Sequence, residues 1–260
     1  MKLNVGQCIY CGEKSLPLTR EHVLPRGLGG NEAPAELKNA LVLQNASCPR
    51  CQSITQDIER RCLQQALDTG RARLGLKRKD RSSQTGRARV VELDGTETER
   101  DLPVDQIHGS IVIPAFHTAG AFAGRAIGVP APCDFKMIVV EPASAALMSS
   151  VRSVGTTMVL DSKVFAQMLA KIALGLAVAH YGVDGFRPLV RDMIVRNPEE
   201  YGHWVGGFPD ENEIADDTTP FHRLHMGGQP LYSGDFIVVN LKLFAQYGGP
   251  SNYVVVGQPL

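Results

Sequence analysis

The chain carries no excess of either charge, with 27 Lys and Arg against 27 Asp and Glu in 260 residues. A neutral total excludes the overall basic character of a chain that coats nucleic acid, although not a local patch. The opening Met1-Lys2-Leu3-Asn4 has no apolar run, which predicts no secretory signal. The most apolar stretch, Val164 to Val178, is interrupted by Gln167 and Lys171 and is expected to be too short to span a bilayer. There is no Walker loop, no GxSxG elbow, no dinucleotide fingerprint and no internal repeat. Six cysteines, four of them in metal spacing, argue against a disulfide framework and for a reducing compartment. The expectation is a soluble, cytoplasmic protein with no membrane partner. Its 43% hydrophobic content is enough for a core.

What is present is concentrated near the start. Cys8-Ile9-Tyr10-Cys11 is answered, after 36 intervening residues, by Cys48-Pro49-Arg50-Cys51. Two such pairs predict one tetrahedral four-cysteine zinc site, each pair bending a knuckle that turns two thiolates toward one metal. A closed four-thiolate shell is structural. Chemistry must therefore come from what the zinc holds in place, and Glu21-His22 lies between the pairs in Thr19-Arg20-Glu21-His22-Val23-Leu24-Pro25-Arg26-Gly27-Leu28-Gly29-Gly30. Cys62 and Cys133 are left over and are expected to be small buried residues.

The neutral total is a cancellation between segments. Residues 60–89 hold ten Lys and Arg, among them Arg60, Arg61, Arg71, Lys77, Arg78, Lys79, Arg81, Arg87 and Arg89, against Asp68 and Asp80. Residues 192–217 hold eight Asp and Glu against Arg196 alone. The basic run reads as a solvated linker or as an arm that tracks phosphates.

The segments CIYCG at 8–12, LTREHVLPRGLGG at 18–30 and NASCPRC at 45–51 resemble an HNH endonuclease, in the zinc-stapled branch of the ββα-metal nucleases. The resemblance covers the first quarter of the chain. It implies His22 as general base and Glu21 as a metal ligand, with Asn45, or Asn39, orienting His22. Gln52 stands where the family usually has Asn or His and would be the second ligand of a catalytic Mg2+ or Mn2+. Glu59 is a further support. Arg26, Arg60, Arg61, Lys77, Arg78, Lys79 and Arg81 are the expected contacts to nucleic acid.

The expected fold class is α+β, in three parts. Residues 1–68 form the zinc-stapled ββα module, with a strand over Ala40 to Ala46 and a helix from about Ser53 to Leu67. Residues 69–89 are the basic linker or arm. Residues 90–260 form an α+β region of unknown role. There, apolar residues recurring from Val164 to Ala177 predict a long amphipathic helix after Asp161-Ser162. Phe186 to Val195 predicts a shorter helix. The segments His222–Met226, Phe236–Phe244 and Tyr253–Val256 predict a β-meander.

The implied activity is metal-dependent hydrolysis of phosphodiester bonds, in double-stranded DNA by default. One alternative is a zinc-ribbon protein that binds nucleic acid without cutting it. Another is a nuclease gated by a ligand or protein partner of residues 90–260, and a homodimer is compatible with either.

Overall fold

The computed structural model describes residues 2–29, 41–67, 70–71, 74, 76, 85–104, 106–107, 109–141, 144–155, 160–208, 219–226 and 236–260. Its N-terminal module consists of β1 (Lys2–Asn4), β2 (Thr19–His22), β3 (Val42–Ser47) and α1 (Pro49–Arg60). β3 lies in the middle, parallel to β1 and antiparallel to β2, so Glu21 pairs with Leu43 and His22 with Val42. α1 begins four residues earlier than its sequence predicts. Cys48 is extended, and Pro49 takes the first helical position, where its missing N–H has no partner to lose and its fixed φ suits the helix. The helix continues into a π-helical turn, Arg61–Ala66.

Ten further strands follow: β4 (Thr85–Glu92), β5 (Glu97–Pro103), β6 (Gly109–Phe116), β7 (Cys133–Glu141), β8 (Val151–Gly155), β9 (Phe186–Pro188), β10 (Val205–Gly207), β11 (Arg223–Met226), β12 (Ile237–Lys242) and β13 (Asn252–Pro259). β5, β4 and β8 form one antiparallel sheet, and β6 and β7 form a two-stranded ribbon. The expected meander is present as β11–β12–β13, and β10 and β9 pair with β13 to complete a five-stranded sheet. The helix expected over Phe186 to Val195 is divided. Phe186–Pro188 pairs with Pro259–Gly257 of β13, and only Arg191–Val195 is helical. Pro188 has no N–H to continue a helix ladder and sits at the end of an edge strand, where none is required.

α2 (Ser162–Tyr181) opens at Asp161, whose carboxylate accepts the Lys163 N–H at 2.9 Å, and it stops before Gly182 at φ +77°. It is not amphipathic. Residues 164–175 are all buried, because α1, β12, β13 and the helix Arg191–Val195 pack around it. By length and composition α2 would suffice to cross a membrane, contrary to expectation, but 78% of its apolar window is buried within the protein, as in a core helix. Gly175 allows the closest approach. A Cβ there would meet the Val23 side chain at 3.0 Å, beside His22.

One continuous cluster of buried side chains joins Ile9, Leu43 and Ile58 to Phe165, Leu169 and Ile172 of α2, and on to Val239 and Val254. A smaller cluster of Ala88, Val90, Ile107, Val151 and Val154 lies under the β4–β8 sheet. Residues 1–68 therefore share their core with the second region. Polar contacts cross the same seam: Arg61 pairs with Asp161 at 3.1 Å, and Arg191 Nε donates to the Ile9 carbonyl at 2.7 Å.

Candidate metal centre and adjoining pocket

Cys8, Cys11, Cys48 and Cys51 bring their sulfurs within 4.8 Å of one another. Among the described residues they are the one such group of three or more His, Cys, Asp or Glu side chains. Cys11 Sγ and Cys48 Sγ lie 3.7 Å apart, and a tetrahedron of zinc–sulfur bonds of about 2.3 Å places its sulfurs about 3.8 Å apart. The residues present fit a zinc ion in spacing, number and donor type. Cys8, Cys48 and Cys51 are buried and Cys11 is exposed. Burial pushes the Cys8 thiol up, against the Cys48, Cys11 and Tyr10 backbone N–H groups that point at its sulfur. Without metal the Cys8 thiol stays protonated, so binding there releases a proton. Of the leftover cysteines, Cys62 is buried and donates to the Val164 carbonyl at 3.5 Å, whereas Cys133 is only half-buried.

Beside the zinc module lies a pocket of about 270 Å³, lined by Arg20, Glu21, His22, Arg26, Gly27, Gln52, Thr55, Gln56 and Glu59. β2 supplies the first three. α1 supplies Gln52, Thr55, Gln56 and Glu59, spaced three and four apart so that they share one helix face. The loop after Pro25 supplies Arg26 and Gly27. A Cβ at Gly27 would meet the ends of the Leu63 and Arg71 side chains at 2.7 and 2.8 Å, so one or both would have to shift. Both His22 ring nitrogens are buried and have no hydrogen-bond partner among the described residues. Burial first, then the charges of Arg26, Arg20 and Lys171, hold the imidazole below its ordinary pKa, against an opposing pull from Glu59. His22 is therefore neutral at pH 7.

Glu21, His22, Arg26, Gln52 and Glu59, expected from the sequence, thus meet in one cavity. Asn45 does not join them. It is exposed at φ +51° in the irregular register of β3 against β2, and its Nδ2 donates to Asn4 Oδ1 at 2.9 Å. Asn is among the residues that tolerate left-handed backbone, so the turn itself accounts for it. Asn39 lies outside the described residues.

The described residues of the basic run do not form a free arm. Arg60 pairs with Asp57, Arg61 with Asp161, Arg87 with Glu99 and Arg89 with Glu97. Arg71 is buried and donates to the Gly27 and Leu63 carbonyls, both at 2.7 Å. Residues 85–89 belong to β4. Lys77, Arg78, Lys79 and Arg81 lie outside the described residues.

Sequence reasoning missed the group behind the pocket. Lys171, 1% exposed on α2, places its ammonium 2.6 Å from Glu21 Oε1 and 2.9 Å from Glu59 Oε1, and it donates to the His22 carbonyl at 2.9 Å. Burial works against this charge, but the two carboxylates prevail and hold Lys171 above its ordinary pKa. Tyr10 of the first knuckle lies near the same acids. Burial, then Glu21 and Glu59, push its phenol well above the usual range. The available signal was a lone lysine in an apolar helix, which must find an acidic partner.

Lys171 also decides how a divalent ion on Glu21 would fare. Glu21 already spends an oxygen on the ammonium, and Glu21, His22 and Glu59 do not gather their ligand atoms within 4.8 Å. An Mg2+ or Mn2+ ion held by Glu21 and Gln52 would therefore share Glu21 with Lys171. In comparisons with known proteins, no family model, no curated sequence and no solved structure matches this chain.

Proposed function

We propose that the pocket hydrolyses phosphodiester bonds in nucleic acid, with double-stranded DNA as the default substrate and His22 as the general base. The observation that carries this reading is a neutral imidazole lining a polar cavity, flanked by Arg20 and Arg26 and stapled by a four-cysteine centre. The order β2–β3–α1, with Glu21-His22 at the end of the first strand and Gln52 at the start of the helix, supports the HNH resemblance. A phosphate drawn to the two guanidiniums would lie against His22, which takes a proton from the attacking water. The same arginines oppose the charge that accumulates on the phosphoryl oxygens. A zinc ion held by the four cysteines would have no open position, so it would hold the fold and not touch the substrate.

The test is incubation of the zinc-loaded protein with plasmid and with RNA, in Mg2+, in Mn2+ and in EDTA. His22→Ala should keep the zinc and the fold while cleavage falls by about 10²- to 10⁴-fold, the usual contribution of a general base. Equal cleavage by wild type and His22→Ala would place the chemistry elsewhere. The pairing of Glu21 with Lys171 favours a second reading, a zinc-ribbon module that binds nucleic acid without cutting. Binding with no cleavage under any metal would establish it.

A further inference from the structure

We infer that the Lys171 ammonium is a built-in cation of this pocket, pairing with Glu21 and Glu59 from behind and cancelling one of their two charges, so that a divalent ion must compete with it for both carboxylates. An ammonium has three donors and no acceptor. Here three acceptors surround it, Glu21 Oε1, Glu59 Oε1 and the His22 carbonyl oxygen, and all three belong to residues that line the pocket. Lys171 itself is not on the pocket wall. It reaches the back of that wall from α2, at 1% exposure.

Neutral packing would have been simpler. A buried ion pair is no more stabilising than well-packed apolar residues of similar volume, so stability alone does not call for a lysine against two glutamates. What the triad does achieve is to fix two carboxylates and a backbone carbonyl beside His22 while cancelling one of their two charges. The other charged or titratable groups facing this cluster are Arg20 and Arg26 at the pocket, Tyr10 on the first knuckle and His22 itself. A divalent ion entering the pocket finds two guanidiniums beside it, an ammonium behind its ligands and one oxygen of each carboxylate already engaged. The inference rests on the proposed phosphodiesterase reading for its catalytic meaning, whereas its test reads ion binding alone.

Zinc-loaded full-length wild type, Lys171→Met and Lys171→Met/Glu59→Gln are titrated with Mn2+, without nucleic acid, and free Mn2+ is followed by electron paramagnetic resonance. Mn2+ prefers hard oxygen ligands, so the four thiolates do not interfere. Lys171→Met should bind one Mn2+ at least ten-fold more tightly than wild type, and the double variant should lose that gain. If Lys171→Met is unfolded without the ion, Mn2+ should refold it, as read by circular dichroism, and Lys171→Arg should fold with no such requirement. Wild type that binds Mn2+ as tightly as Lys171→Met overturns the inference. So does Lys171→Met that remains unfolded at every Mn2+ concentration. Ion binding as expected, with neither DNA nor RNA cut by wild type, would overturn the phosphodiesterase reading and leave the built-in cation standing.

Discussion

Two imidazoles border the loop that follows β2, and their nitrogens are treated in opposite ways. Those of His22 are buried and unpartnered among the described residues, whereas those of His222 are both engaged. His222 Nδ1 accepts the Phe244 N–H at 2.9 Å, and Nε2 donates to the Leu28 carbonyl at 3.1 Å. Burial, opposed by its backbone partners, lowers the His222 pKa to about 4, so the folded ring stays neutral where the unfolded one takes up a proton. Above pH 6.5 neither form is charged and the ring imposes no penalty. As pH falls from 6.5 to about 4, the unfolded state gains the proton alone, and folding loses about 3 kcal/mol across that window. Urea titrations at pH 7 and pH 4.5 should show this loss in wild type and a smaller one in His222→Gln. Lys171 is the opposite case, a buried charge that must stay charged. Removing it strands Glu21 and Glu59, which should destabilise the metal-free chain by about 3–5 kcal/mol, measurable as a drop in urea midpoint.

At the level of elements, α2 sets the spacing between the zinc module and the C-terminal sheet. Gly175 costs the helix about 1 kcal/mol relative to Ala in propensity, and it is retained because Val23 fills the space a side chain would need. Gly175→Leu should therefore destabilise by about 1–3 kcal/mol or more through overpacking, seen as a lowered melting temperature. Because Val23 adjoins His22, cleavage should fall as well. This element also shows where a sequence is readable. The cysteine pairs and Glu21-His22 are short-range patterns whose spacing already implies their geometry. The pocket face of α1 repeats every three to four residues, which makes Gln52 and Glu59 findable. By contrast, β5 (Glu97–Pro103) has four charged residues in its first five positions and gives no apolar alternation to detect. Lys171 meets residues 149 positions away, and no local pattern encodes that meeting. The helix boundary at Pro49 was open to inference from proline's preference for the first turn.

At the scale of the molecule, the shared core makes the zinc centre and the C-terminal sheet one cooperative unit. Trp204, the single tryptophan, is buried in the second region, while the thiolates lie in the first. Thermal melts followed by Trp204 fluorescence and by zinc release to a chromogenic chelator should share one midpoint, and chelation of the metal should lower the fluorescence midpoint too. A chain beginning at Val90 would expose the face of α2 that α1 covers, and it should be insoluble or molten. Separate midpoints, or a soluble, cooperatively folded Val90 fragment, would mean that the two halves hold their own cores. The same architecture has a consequence for the order of synthesis. Glu21, His22 and both zinc knuckles leave the ribosome long before the lysine that completes their pocket. At about 5–20 residues per second, the 120 residues from Cys51 to Lys171 take roughly six to twenty-four seconds. During that interval the nascent chain carries its whole recognisable motif without the cation or the core behind it. A polypeptide terminated within that interval is therefore expected to lack a folded pocket, whatever chemistry the pocket performs.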